Sequence, residues 1–462
     1  MEWQQTCQII PDGVQTLSKM PSKHIEGVYP KYVDYAEGPY IFCGDKKYID
    51  YPLGLGPIIL GHAHPVITRA ISEQVARGYI YSLPSQLEGK LAQKIIEIIP
   101  CAEMVRFLKT GSEATSAAVK IARAFTGRDR ILACGYHGWH DWYSGSTPKK
   151  RGVPTAVCNL TQQFKYNDLE SLRLLLGNKK DCDVAAVIME PYILEKPKPD
   201  YLRQVRQMCD EYKALLIFDE VVTGFRTKKW VAQAMFDVIP DLTCLGKAMA
   251  NGVPIACVCG KQEYMEVLRG DCFVSSTWGG DLLGVSAALA TIEYIEKNGV
   301  INHIWQMGER FKNSFNNTAN NLGLAEDVKC IGYPPRTFFI FPTGTHKSLF
   351  WQECLKGGVF FGYAQFISHA HKLNHIDETC ATMRQAMKMV KKYWDEPEKA
   401  LQGKPAEETF RLIVTKEASN GTKSADGTGR SDSPVVAKSG VADAKNVQNV
   451  DGARPIKVSG KS

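Results

Sequence analysis

Between residues 105 and 258 the chain alternates two patterns. Runs at 105–108, 130–134, 184–189, 215–218, 242–245 and 256–258 are apolar at nearly every position, as in strands buried on both faces of a sheet. The stretches between them carry helical spacing, and Ala117, Ala118, Ile121 and Phe125 share one face. This alternation predicts an α/β fold built on a mainly parallel sheet with helices on both sides. Upstream, two strand-like pieces within 36–50 are split by Gly44-Asp45, which reads as a hairpin layer. Val66, Ile67, Ala70, Ile71 and Val75 predict a helix, and 86–99 a second one. Downstream, 328–332 and 337–341 read as strands and 376–393 as a helix. Four parts follow: an N-terminal segment at 1–61, a large domain at 62–294, a smaller α+β domain at 295–395, and a tail at 396–462. The tail is so poor in apolar residues that it is expected to be disordered and of low complexity.

Composition narrows the setting. The formal net charge of +7 comes from interspersed charges of both signs, which gives no footprint for nucleic acid. None of the 14 cysteines forms a CxxC pair, and Cys134, Cys257 and Cys259 lie inside apolar runs, so reduced, buried thiols in a cytoplasmic protein are expected. The first residues lack a basic flank with an apolar core, and no run reaches membrane-spanning length. No membrane association is expected.

The unusual residues fall where the strands should end, which is where sites concentrate in such sheets. Thr110 and Glu113 have capping-box spacing, and Gly111-Ser112 would open a helix whose free amides suit a phosphate. Tyr136 and His137 lie in a glycine-flanked loop, where aromatic rings can cover a planar ligand or anchor the loop. Glu190 places a carboxylate at a strand end. Asp219 ends an apolar strand and needs a cation or strong donor. A protonated pyridine nitrogen would serve, and Asp219 beside Glu220 also suits magnesium. Lys247 follows an apolar run and precedes small residues and Asn251-Gly252, a shielded setting that suits an amine nucleophile. His62 and His64 lack a carboxylate or cysteine partner at ligand spacing, and a strand end near the site accounts for His369, His371 and His375. No metal site is expected.

Jointly these motifs resemble a known family. Gly111-Ser112-Glu113-Ala114, Tyr136-His137-Gly138, Glu190-Pro191, Asp219-Glu220-Val221 with Gly224-Phe225-Arg226, and Gly246-Lys247 with Gly252-Val253-Pro254 occur in the order seen in class III pyridoxal-phosphate aminotransferases. The resemblance spans about residues 11–394 and points to the glutamate-1-semialdehyde 2,1-aminomutase branch. It implies fold type I of the pyridoxal-phosphate (PLP) dependent transferases. It also implies that Lys247 forms the internal aldimine and shuttles a proton, and that Asp219 pairs with the pyridinium nitrogen. Tyr136 would stack on the ring, Val221 would pack on its other face, and Gly111 and Ser112 would hold the phosphate. His137 and Glu190 complete the cofactor-binding set. Thr277 resembles the threonine that reaches a neighbouring subunit's phosphate, which implies a homodimer with shared sites. Taken alone, Thr277 also reads as the cap of a helix running to Tyr294.

Three departures bear on the reaction. Lys19 stands where the aminomutase branch has an arginine for the substrate carboxylate. Lys109-Thr110 precede Gly111 where Asn-Ser is usual. Residues 139–151 replace a long glycine-rich gating loop. An aminomutase must retain its intermediate, whereas a transaminase need not. The expected function is therefore PLP-dependent transfer of an amino group from an amino acid donor to an aldehyde or ketone through Lys247. The alternative is intramolecular transfer of the glutamate-1-semialdehyde type. Trp142, Tyr143, Tyr81 and Lys19 are expected to shape substrate selectivity.

Overall fold

The structure, a computed structural model, describes residues 2–407. Its strands, in chain order, are β1 (Tyr35–Glu37), β2 (Tyr40–Cys43), β3 (Lys46–Asp50), β4 (Met104–Leu108), β5 (Arg130–Cys134), β6 (Thr161–Gln163), β7 (Val184–Met189), β8 (Leu215–Asp219), β9 (Leu242–Leu245), β10 (Ala256–Gly260), β11 (Lys329–Tyr333), β12 (Arg336–Ile340), β13 (Val359–Phe360) and β14 (Gln365–Phe366). β4 to β10 form a seven-stranded sheet in the order β4-β10-β9-β8-β7-β5-β6. Its pairings are parallel except around β10, which runs antiparallel to both β4 and β9.

The apolar runs lack alternation because each face has its own cover. Ile131, Ile188 and Ile217 pack with Ala117, Ala118 and Ile121 of the helix Gly111–Thr126. The intervening Leu132, Val187, Leu216 and Phe218 pack with Leu202, Val205 and Cys209 of the helix Tyr201–Tyr212. Within this sheet only β6, a polar edge strand of Thr161-Gln162-Gln163, escaped the sequence pattern.

The N-terminal strands do not stand alone. β1, β2 and β3 make an antiparallel meander, and β3 continues in parallel to β13 from the far end of the chain. β11, β12 and β14 form a second small sheet. It packs on the helices Val300–Asn321 and Gly344–Lys356 through Phe311, Phe315, Phe339, Phe350 and Phe361. The Phe315 and Phe339 rings stack with centroids 4.6 Å apart.

The expected tail begins too early. Pro397–Ala400 is a helical turn, and Gln352 binds on both sides of Leu401, donating to the Ala400 carbonyl at 2.9 Å and accepting from the Gln402 amide at 2.8 Å. The Ala406 amide donates to Ser348 Oγ at 2.9 Å, and Lys23 pairs with Glu407 at 3.0 Å. Leu401 and Ala406 supply the apolar contacts that the averaged composition of 396–462 conceals. Residues 408–462 lie outside the described part.

The clustered histidines join the N-terminal layer to the C-terminal loop. His62 Nε2 donates to Asp50 Oδ2 at 2.8 Å, the carboxylate that sequence spacing did not reveal. His371 is fully buried, stacks on Tyr51 with centroids 4.8 Å apart, and accepts the Ser368 amide on Nδ1 at 3.0 Å. His303 Nε2 donates to the His371 carbonyl at 2.8 Å.

Burial, with His375, His62 and His303 nearby, lowers the pKa of His371 from 6.5 to about 3. Above pH 6.5 the ring is neutral whether the chain is folded or not. Between about 6.5 and 3 only the unfolded chain takes up this proton, so stability falls with falling pH, by about 1.4 kcal/mol per unit for one proton. Denaturant midpoints measured from pH 7 to 4 are expected to fall less steeply in His371→Gln than in the wild type. Parallel curves would contradict this.

Candidate active site

Four turns leave the C-terminal ends of β5, β7, β8 and β9 and meet at one edge of the central sheet. Asp219, the last residue of β8, is 4% exposed. Its Oδ2 accepts a hydrogen bond from His137 Nδ1 at 2.8 Å, and its Oδ1 accepts the Val221 amide at 3.1 Å. His137 Nε2 is buried with no hydrogen-bond partner among the described residues. Burial, reinforced by the Asp219 carboxylate, pushes the nearby Cys244 thiol well above its ordinary pKa, so this cysteine stays neutral.

Glu220 faces away from this pair. It accepts from the amides of Ala232 and Gln233 at 2.5 and 3.1 Å and from Thr223 Oγ1 at 2.9 Å. It is thereby committed to the start of the helix Ala232–Phe236. The two adjacent acids do not share a ligand position, and among the described residues no group of three or more His, Cys, Asp or Glu side chains could hold a metal.

The turn after β5 is closed from below. Glu190, 1% exposed, accepts the Tyr136 amide at 3.0 Å. Gly135 sits over it at φ 110°, and a Cβ there would lie 2.9 Å from Glu190 Oε1. Gly138, at φ 106°, is needed for a second close approach, because a Cβ would run into Ser112 Oγ. Gly111 lies against Val221, where an added Cβ would come within 2.8 Å of Val221 Cγ1. Thr110 caps the helix Gly111–Thr126 and forms the reciprocal box with Glu113. The amides of Gly111 and Ser112 are first-turn donors with no acceptor inside the helix.

Lys247 enters after Gly246 and has φ 46°, a left-handed backbone that costs a non-glycine residue about 1–3 kcal/mol. Its turn, Lys247–Ala250, has Ala248, Met249 and Ala250 fully buried. Asn251 pins it from the N-terminal side, accepting the Leu60 amide at 2.8 Å and donating to the Gly61 carbonyl at 3.0 Å. A side chain at Gly246 would lie 3.6 Å from Val221 Cγ1, so the lysine turn and the Asp219 turn are neighbours. Neither Asn251 nor the left-handed lysine carried a sequence signal beyond the Asn251-Gly252 turn.

Other candidates lie elsewhere. Trp142 and Tyr143, expected to shape selectivity, are buried anchors: Trp142 Nε1 donates to Ser116 Oγ at 2.9 Å, and the Tyr143 hydroxyl donates to the Gly135 carbonyl at 2.7 Å. They hold the turn after β5 onto the helix that starts at Gly111. The Tyr81 hydroxyl donates locally to the Arg77 carbonyl at 3.0 Å, and Lys19 lies in the single turn Leu17–Lys19. Thr277 is exposed and does not cap the next helix. Asp281 does, accepting from the Leu283 and Gly284 amides at 3.0 and 3.4 Å, and it also pairs with Lys109.

The site therefore offers a buried carboxylate, an apolar face at Val221, an aromatic turn, helix-start amides and an amine. That set fits a flat, cationic heteroaromatic ring that bears an anionic group and a carbonyl.

Comparison with known proteins agrees with this chemistry. The chain matches the model of the class-III aminotransferase family over residues 26–390. A 3-aminobutyryl-CoA aminotransferase from Cloacimonas acidaminovorans is 35% identical over 401 residues, which cover 83% of this chain and 95% of that protein. A glutamate-1-semialdehyde 2,1-aminomutase from Methanothrix thermoacetophila is 37% identical over 413 residues, 82% of this chain and 94% of that protein. Among solved structures, the FumI protein of Sphingopyxis sp. MTA144 in its PLP internal aldimine form superposes with a TM-score of 0.80 at 28% identity, covering 87% of this chain and 97% of that one. An omega-transaminase from Sphaerobacter thermophilus shares the fold at 22% identity and a TM-score of 0.76, with 84% and 96% covered.

Proposed function

We infer the chemistry of the site from the premise that this chain belongs to the class-III aminotransferase family. It is a PLP-dependent enzyme of fold type I that moves an amino group from an amino acid donor to an aldehyde or ketone acceptor. The observation that carries the residue assignments is the buried Asp219 carboxylate, held by His137 at 2.8 Å beside the turn that presents Lys247.

When bound, pyridoxal phosphate supplies an electron sink and a carbonyl that exchanges amines. In our reading Asp219 holds the proton on the ring nitrogen, and His137 orients that carboxylate. Val221 and Tyr136 would hold the ring between them, and the amides of Gly111 and Ser112 would hold the phosphate. Glu190 sets the turn that carries Tyr136. Lys247 Nζ would be the amine that holds the cofactor, and it would move the proton at the substrate Cα. Intermolecular transfer is favoured because residues 139–151 form no long lid: Trp142 and Tyr143 pin the stretch down. Intramolecular transfer remains the second reading, supported by the aminomutase relative.

We further propose a homodimer. Phe273 (75% exposed) and Trp278 (59%) flank Thr277, and Leu83 (78%), Tyr79 and Tyr81 are exposed nearby. The Leu282 amide donates to the Tyr79 carbonyl at 2.9 Å, which draws the two segments together. An apolar patch of this kind suits a second copy of the chain, whose phosphate Thr277 would then reach. The domain division at 62–294 and 295–395 is kept in this reading.

Adding L-glutamate to the purified protein is expected to convert the cofactor's visible band to the amine form and release 2-oxoglutarate. Persistence of the band together with isomerisation of glutamate-1-semialdehyde would establish the second reading instead. Shared sites are tested by mixing two variants. Lys247→Ala is expected to be inactive and Thr277→Ala impaired, but refolding them together should restore activity in the sites that combine both intact residues. No recovery would refute the shared site.

A further inference from the structure

A buried ion pair links the C-terminal sheet to the turn after β5. Arg336, at the start of β12, is 2% exposed, and its Nη1 lies 3.6 Å from Glu190 Oε2. Glu190 in turn accepts the Tyr136 amide at 3.0 Å and closes against Gly135. The same turn carries His137, which holds Asp219. Arg336 is itself well braced. Its guanidinium carbon lies 5.0 Å from the Phe338 ring centroid and 6.0 Å from that of Phe366. Arg226, on the turn that follows Asp219, lies 5.0 Å from the same Phe366 ring. Two residues earlier, Pro334 seats on Gly308, where a Cβ would overlap its carbonyl.

As a stabilising device this pair would be a poor choice. Desolvating two charges offsets most of their attraction, and apolar side chains of similar volume often do as well. What an ion pair adds is direction.

We propose that Arg336 is a positioning residue: its guanidinium holds the Glu190 carboxylate, and that carboxylate holds the Tyr136-His137 turn against the cofactor. This rests on the cofactor roles assigned above to Tyr136 and His137. It makes the C-terminal sheet part of the site's geometry.

The test compares Arg336→Met and Arg336→Lys with the wild type, all loaded with pyridoxal phosphate. Cofactor dissociation constant, visible circular dichroism of the bound cofactor, and kcat and KM for the donor are measured. In Arg336→Met the dichroic band should weaken, the dissociation constant should rise about tenfold, equivalent to about 1.4 kcal/mol, and kcat should fall about 10- to 100-fold with little change in KM. Arg336→Lys should recover part of each. A folded Arg336→Met with lower thermal stability but wild-type dichroism and affinity would overturn the proposal, because the pair would then be merely structural.

Should Arg336→Met fail to fold, the double variant Glu190→Gln/Arg336→Met leaves no lone buried charge. Altered dichroism there supports the proposal, and native dichroism overturns it. A wild type that bound no pyridoxal phosphate would remove the proposal together with the cofactor reading, and the wild-type spectrum alone separates that case.

Discussion

A carboxylate at the end of a fully apolar strand is the constraint around which this molecule is arranged. Asp219 is nearly out of contact with water, and an ionised group in that position persists only with strong donors or a cation beside it. The fold supplies two donors, the His137 ring from the turn after β5 and the Val221 amide from its own turn. Bringing His137 there requires β5 to neighbour β7 and β7 to neighbour β8, which is the strand order observed. In the proposed reading, the protonated ring nitrogen of bound pyridoxal phosphate would be the cation that completes the arrangement.

The same crowding accounts for the glycines and for the backbone of Lys247. Gly111, Gly135 and Gly138 each sit where a single methyl would strike Val221, Glu190 or Ser112. Lys247 is held left-handed by a turn that Asn251 ties to Leu60 and Gly61. Strain of this sort survives only where the surroundings over-determine it. The surroundings here come from distant parts of the chain, since β3 pairs with β13 and the N-terminal layer thereby rests on the C-terminal region.

Legibility in the sequence followed burial and locality. The strands β5, β7 and β9 were readable residue for residue because burial on both faces makes nearly every position apolar, Arg130 and Thr243 excepted. The Thr110-Glu113 cap was readable because both partners lie within one turn. Features that depend on distant contacts were not. β6 is polar and β13 has two residues, so neither shows a period. Trp142 and Tyr143 look like exposed loop aromatics until Ser116 and the Gly135 carbonyl take their polar ends. Glu220 resembles a partner for Asp219 but serves the helix start at Ala232 and Gln233. The Arg336–Glu190 pair joins two sheets and had no sequence signal beyond an arginine at the head of an aromatic run.

In the proposed reading, Asp219 keeps the ring nitrogen of bound pyridoxal phosphate protonated. Nitrogen-15 NMR of the enzyme loaded with ring-labelled cofactor reads this directly. A protonated pyridinium signal is expected in the wild type near neutral pH, shifting to the neutral pyridine position in Asp219→Asn. A neutral nitrogen in the wild type, or a protonated one that survives the substitution, would contradict it.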